Sequence, residues 1–281
     1  MNLLASLSKY IRFLSLDVAL GGAILSAAIA RFLGVDLPDA VPICLAIAIW
    51  IIYTIDHLID AFKSTGDPTI GRHLFHRTYA KWLIGAVVLA VLAGGYVLLA
   101  LPAITLLYGV GMVLLVLVYF VLIYFFRGFY LKEIFVAMVY AMGVFVGPVS
   151  LNFGQVPPLT VLLFLQVLLV AQINLILFSF FEKKLDEMDK HPSLVLKMGD
   201  ESVSKLLKVL FALLVVIQCF TLIDFGTDLS SILFQLLFIS MGLILLTLYS
   251  WPQKFLANDR YRMIGDGIFF LPGIWLLFSS I

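Results

Sequence analysis

Charge is what this sequence has least of. Only 12% of its 281 residues are Asp, Glu, Lys or Arg, 63% are hydrophobic, and the mean hydropathy is +1.13. Soluble domains carry about 25% charged residues, so a water-facing surface is excluded and the solvent has to be lipid. The net charge of +1 offers no basic face for nucleic acid. Cysteine is nearly absent as well: Cys44 and Cys219 lie inside apolar runs without metal-site spacing, so neither a disulfide framework nor a thiolate metal centre is indicated. Alternation of polar and apolar residues is missing from runs such as 106–126, which excludes a β-barrel and leaves helices as the way to satisfy backbone groups in lipid. There is no internal repeat, low-complexity tract or separate soluble domain, and residues 1–281 read as a single transmembrane unit.

What is present is a succession of apolar runs near 13–33, 38–62, 79–100, 103–126, 131–151, 156–181, 203–224, 230–249 and 260–280. Each approaches the roughly 20 residues that a helical span requires, which predicts an all-α polytopic protein of nine transmembrane helices. The first run follows Lys9 and Arg12 and contains Asp17, and with eight more behind it reads as a span instead of a cleaved leader. Pro102 and the Pro157–Pro158 pair mark tight connections, because proline disfavours helix in the residue before it. Alternating the sides puts all of the 18 Lys and Arg except Arg31 on the side of the N-terminus. Basic residues in short loops stay in the cytoplasm, so the N-terminus is expected to be cytoplasmic and the C-terminus outside, in a bacterial-type inner or plasma membrane.

Two acidic clusters fall on the cytoplasmic side. The second span ends Tyr53-Thr-Ile-Asp56-His-Leu-Ile-Asp60, and the sixth ends in a stretch carrying Glu182, Asp186 and Asp189. A four-residue step puts Asp56 and Asp60 on one helical face, and does the same for Glu182 and Asp186. An ionisable group in a span costs about 2.5–3.5 kcal/mol on translocon scales, so such groups point to function. Four carboxylates converging from two helices need a positive charge between them, and magnesium suits because it takes oxygen ligands and bridges carboxylates to phosphates. Arg72, Arg77, Lys183, Lys190 and, before the fifth span, Lys132 can neutralise a diphosphate. No cysteine or third histidine supports His73 and His76, so a tetrahedral zinc site is not expected, and His57 reads as a packing neighbour.

These segments resemble the UbiA superfamily of intramembrane prenyltransferases, nine-helix bundles with two aspartate-rich motifs at the cytoplasmic mouth of a central cavity. Asp56 and Asp60 match the last two aspartates of the first motif, Asn-Asp-x-x-Asp-x-x-x-Asp, while Ile52 and Tyr53 stand in place of its Asn and first Asp. Glu182 and Asp186 match the second motif, Asp-x-x-x-Asp; Ser193-Leu194 and Met198-Gly199 stand at the Thr-Leu and Leu-Gly places that follow it. Leu131-Lys132-Glu133 resembles the family's opening of the fifth span. The resemblance implies transfer of an isoprenoid group from its diphosphate to an aromatic or other lipophilic acceptor. It assigns magnesium to Asp56, Asp60, Glu182 and Asp186 and a phosphate contact to Lys132; from their positions Arg72, Arg77, Lys183 and Asp189 are further candidate substrate contacts, and Asn174 either a substrate contact or an interhelical hydrogen bond. Tyr108, Tyr119, Tyr124 and Tyr140 are candidate cavity liners, Gln172 a polar neighbour, and Asp266 a further carboxylate approaching the mouth.

Two other classes fit parts of the pattern. The incomplete first motif suits a catalytically degenerate member with a lipid-binding or assembly role. A secondary transporter would show a charge near mid-membrane and paired broken helices; Asp17 is the one acid placed to lie deep, and no paired repeat accompanies it.

Overall fold

The computed structural model describes residues 9–63, 71–125, 131–152, 156–189 and 192–278, so Arg127 of the basic set and Lys190 lie outside the described residues. The described chain forms helices α1 (Leu16–Phe32), α2 (Ala40–Lys63), α3 (Gly71–Thr78), α4 (Ala80–Leu98), α5 (Ala103–Phe125), α6 (Lys132–Ser150), α7 (Pro158–Met188), α8 (Leu194–Met198), α9 (Asp200–Phe225), α10 (Leu229–Ser250), α11 (Arg260–Gly267) and α12 (Leu271–Phe278). Among the described residues there is no strand. Seven helices, α2, α4, α5, α6, α7, α9 and α10, are long and apolar enough to cross a membrane, and the protein is a multi-pass integral membrane protein.

The two remaining expected spans take other forms. The helix α1 is 17 residues long and starts after Ser15, which turns the chain at φ 52. The last run is divided, with α11 passing through a 3-10 turn at Ile268–Phe270 into α12. Pro272 supplies the reason: it has no N–H to offer the carbonyl four residues back, and the tighter turn absorbs that loss. The opposite adjustment occurs in α7. It begins with Pro158 in its first turn, where a missing N–H costs nothing, and runs to Met188. That extension keeps Glu182 and Asp186 on regular helix beyond the apolar run.

The helix α7 is the axis of the bundle. Of its most apolar stretch 61% is buried, against 6% for α4, and it packs against α6, α8, α9, α10 and α11. The helices α4 and α5 lie outside, presenting Trp82, Leu89, Leu107 and Leu117 outward, as lipid contact allows. Deep in the bundle Gln235 of α10 donates to Gln166 of α7 at 2.8 Å, and Gln166 donates to Thr221 of α9 at 3.0 Å. Without water, such amides must find each other.

The approach of α11 to α7 depends on a missing side chain. A Cβ at Gly265 would stand 2.3 Å from Asn174 Oδ1 and 2.6 Å from the Phe178 ring. Replacing Gly265 by Val is therefore expected to push α11 off α7 at a cost of about 1–3 kcal/mol. A lowered thermal midpoint in detergent would register it, and an unchanged midpoint would mean that the contact is looser than described.

Candidate active site at the mouth of the bundle

The C-terminal turns of α2 bring Asp56 and Asp60 onto one face, as the four-residue spacing predicts. Both meet Lys132, the first residue of α6: its ammonium donates to Asp60 Oδ2 and lies 2.9 Å from Asp56 Oδ2. The Tyr119 hydroxyl of α5 donates to Asp56 Oδ1 at 2.7 Å. Three helices are thus joined around one ammonium group, and the basic residue expected to hold phosphate is the counter-charge of the first acidic pair.

Glu182 of α7 is surrounded in the same manner. Arg262 of α11 reaches it with two hydrogen bonds of 2.7 Å, Nε to Oε1 and NH2 to Oε2. Arg72 of α3 donates at 3.2 and 3.4 Å, and the Tyr261 hydroxyl donates at 2.8 Å. This forked geometry is what guanidinium groups supply and ammonium groups do not. Burial by itself would weaken the charge on Arg72. The carboxylates of Glu182, Asp186 and Asp60 outweigh burial and hold its pKa above the usual value. Arg72 thus bonds Glu182 directly and reaches the end of α2 through His73, a ligand atom of which lies within 4.8 Å of one on Asp60.

Asp186, one turn further along α7, is buried and makes no hydrogen bond or ion pair among the described residues, while sensing Glu182, Arg72, Glu133 and Asp60. It is the one carboxylate of the four without a donor among the described residues. Asn174 lies deeper on α7 and donates to Asp266 Oδ1 at 3.4 Å; its own Oδ1 and the Nε2 of Gln172 are buried and lack a hydrogen-bond partner among the described residues. Lys183 turns away and pairs with Asp200 at 2.7 Å in an exposed position. Asp189 is buried at the C-cap of α7. Arg77 is half-buried on the last turn of α3 and does not line the cavity described next.

A cavity opens at this mouth between α1, α2, α7 and α11, lined by Arg12, Tyr53, Arg72, Phe178, Glu182, Tyr261 and Arg262 among others. Of the four tyrosines considered as liners, Tyr119 and Tyr140 are buried, whereas Tyr108 and Tyr124 are 40% and 66% exposed. Tyr53, standing where the first motif has an aspartate, faces the cavity itself. Tyr261 and Arg262 were not singled out from sequence, although an Arg-Tyr-Arg run at the start of the last span was a readable signal.

Removing Glu182 would leave two guanidinium groups partly buried without counter-charge. Glu182→Ala is expected to cost about 3–5 kcal/mol, as for other broken buried pairs, whereas Asp186→Ala orphans no donor and should leave the melting temperature nearly unchanged. Equal losses for the two variants would show that the arginine pairing does not hold the mouth together.

No family model and no curated protein sequence matches the chain. Similarity appears in three dimensions. The fold matches a solved digeranylgeranylglyceryl phosphate synthase at a TM-score of 0.60 and 15% identity, covering 98% of each chain. It also matches the apo structure of a UbiA homolog from Aeropyrum pernix K1 at a TM-score of 0.65 and 14% identity, covering 96% of this chain and 98% of the other. Agreement over nearly the whole of both chains identifies the architecture built here around α7: it is the fold of the UbiA superfamily.

Proposed function

We propose that the protein is an intramembrane prenyltransferase that moves an isoprenoid group from its diphosphate to an aromatic or other lipophilic acceptor. The observation that carries this reading is a cavity in a UbiA-type fold walled by Glu182 and Arg72, with Arg72 also reaching His73, which lies beside Asp60 at the end of α2. The donor set fits magnesium in a reduced form. Asp60 and Asp186 are the carboxylates to hold it, with diphosphate oxygens and water as the other ligands. Asp56 and Glu182 keep Lys132, Arg72 and Arg262 in place. Bound there, magnesium supplies Lewis-acid stabilisation of the leaving diphosphate.

The protein's own groups account for the remaining work. Arg72 and Arg262, anchored on Glu182, offer hydrogen-bond donors for phosphate oxygens at the mouth. Tyr53, Phe178 and Tyr261 wall the cavity and can stabilise an allylic cation through their ring faces while excluding water. The lipophilic acceptor enters from the membrane. The basic residues orient this mouth to the cytoplasm, with the C-terminus outside. A cysteine placed at Asp228 in a Cys44→Ser, Cys219→Ser background should then react with impermeant maleimide from outside, and one placed at Lys183 from inside; the reverse pattern would invert the topology.

Purified protein supplied with farnesyl or geranylgeranyl diphosphate, magnesium and a panel of acceptors should form prenylated product and release diphosphate. Asp186→Ala should lower kcat/KM at least about hundredfold, or ~2.7 kcal/mol of transition-state stabilisation, with folding retained. Undiminished turnover in that variant would remove Asp186 from the chemistry. A second reading is favoured by Tyr53 in place of a motif aspartate and by three of the four carboxylates being already neutralised by side chains: a degenerate member that binds prenyl diphosphate without cleaving it. Saturable binding with no diphosphate release from any acceptor would select it.

A further inference from the structure

Sequence order separates His57 from His73 and His76, but the fold collects all three. One ligand atom from each of His57, Asp60 and His73 lies within 4.8 Å of the other two. The ring of His76 sits 5.1 Å from that of His57, centroid to centroid. All three imidazoles are buried, with 8%, 2% and 1% exposure for His57, His73 and His76. The third histidine whose lack argues against zinc in the sequence is thus present in space.

Ring protonation follows from the neighbours. His76 Nδ1 lies 2.8 Å from the Arg72 carbonyl, which only accepts, so this nitrogen carries the proton. The lone pair is then on Nε2, which is buried and lacks a hydrogen-bond partner among the described residues. A backbone carbonyl on the far nitrogen is the usual support of a metal-ligating histidine. Arg72 Nε, which only donates, points at His73 Nε2 from 3.3 Å, so that nitrogen too presents a lone pair. The Nδ1 of His57 is buried without a hydrogen-bond partner among the described residues, 3.9 Å from Asp56 Oδ2.

We propose that His57, Asp60 and His73, with His76 beside them, form a binding site for a divalent transition-metal ion of the zinc class. Imidazole nitrogens select such ions over magnesium, which prefers oxygen. Zinc bonds of about 2 Å put tetrahedral donors roughly 3.3 Å apart, a contraction that rotation of these side chains can supply. Arg72 would give up its long contact with His73 and keep its bonds to Glu182. The ion would tie the end of α2 to α3 and so fix the helix that carries Arg72. This site shares Asp60 with the proposed magnesium site but does not depend on prenyl transfer.

The test uses full-length, tag-free protein in detergent, stripped with chelator and titrated with cobalt(II). The expected result is the intense visible absorption of a four-coordinate cobalt site, displaced by zinc and not by excess magnesium, together with a zinc-dependent rise in melting temperature. His57→Gln and His73→Gln should each weaken cobalt binding at least about tenfold, the lower limit seen for supporting residues alone. Asp186→Asn should leave it unchanged, which separates this site from the magnesium reading whatever the outcome of the prenyl-transfer assay. No cobalt spectrum in the parent protein would overturn the proposal, as would a spectrum that survives both histidine replacements together. The parent titration decides the matter if a variant fails to fold.

Discussion

Everything at the mouth of this bundle depends on how Glu182 is paired. A carboxylate buried at a membrane face has to be matched by charge and hydrogen bonds, and Glu182 is matched by two guanidinium groups and a phenol. Those partners come from α3 and α11, 110 and 80 residues away in the chain. The pairing therefore places a short helix and the start of the last membrane segment against the central helix. With Arg72 so fixed, the His76 ring bonds to its carbonyl and both α3 histidines turn inward toward α2.

The same logic governs the first acidic pair. Repulsion between Asp56 and Asp60 is relieved by Lys132, so both clusters hold a cation of the protein's own. This is a different solution from four carboxylates that wait for a metal. In the proposed reaction a diphosphate would meet arginines already held by Glu182, and Asp186 is the carboxylate of the four without a donor among the described residues. The preorganisation costs flexibility: Arg262 cannot swing toward substrate without leaving Glu182.

The fold was largely readable before any coordinates. Apolar runs and the prolines at 102 and 157–158 identified helices and connections, because lipid penalises each unsatisfied backbone group. The first run forms a 17-residue helix that starts after a turn, and the last run is divided by a 3-10 turn. Local backbone events, a positive φ at Ser15 and a missing N–H at Pro272, do not disturb hydropathy and so left no mark on that reading.

The sequence by itself determined which residues share a helical face: Asp56 with Asp60, and Glu182 with Asp186, since the 3.6-residue period is a property of the backbone alone. Only tertiary structure decided which cation meets which carboxylate. Lys132 goes to the first pair and Lys183 turns outward to Asp200, although both sit near acidic residues in the chain. Packing also gathered His57, His73 and His76, because helices bring side chains together by crossing angle and close approach, quantities that no spacing along a single chain encodes.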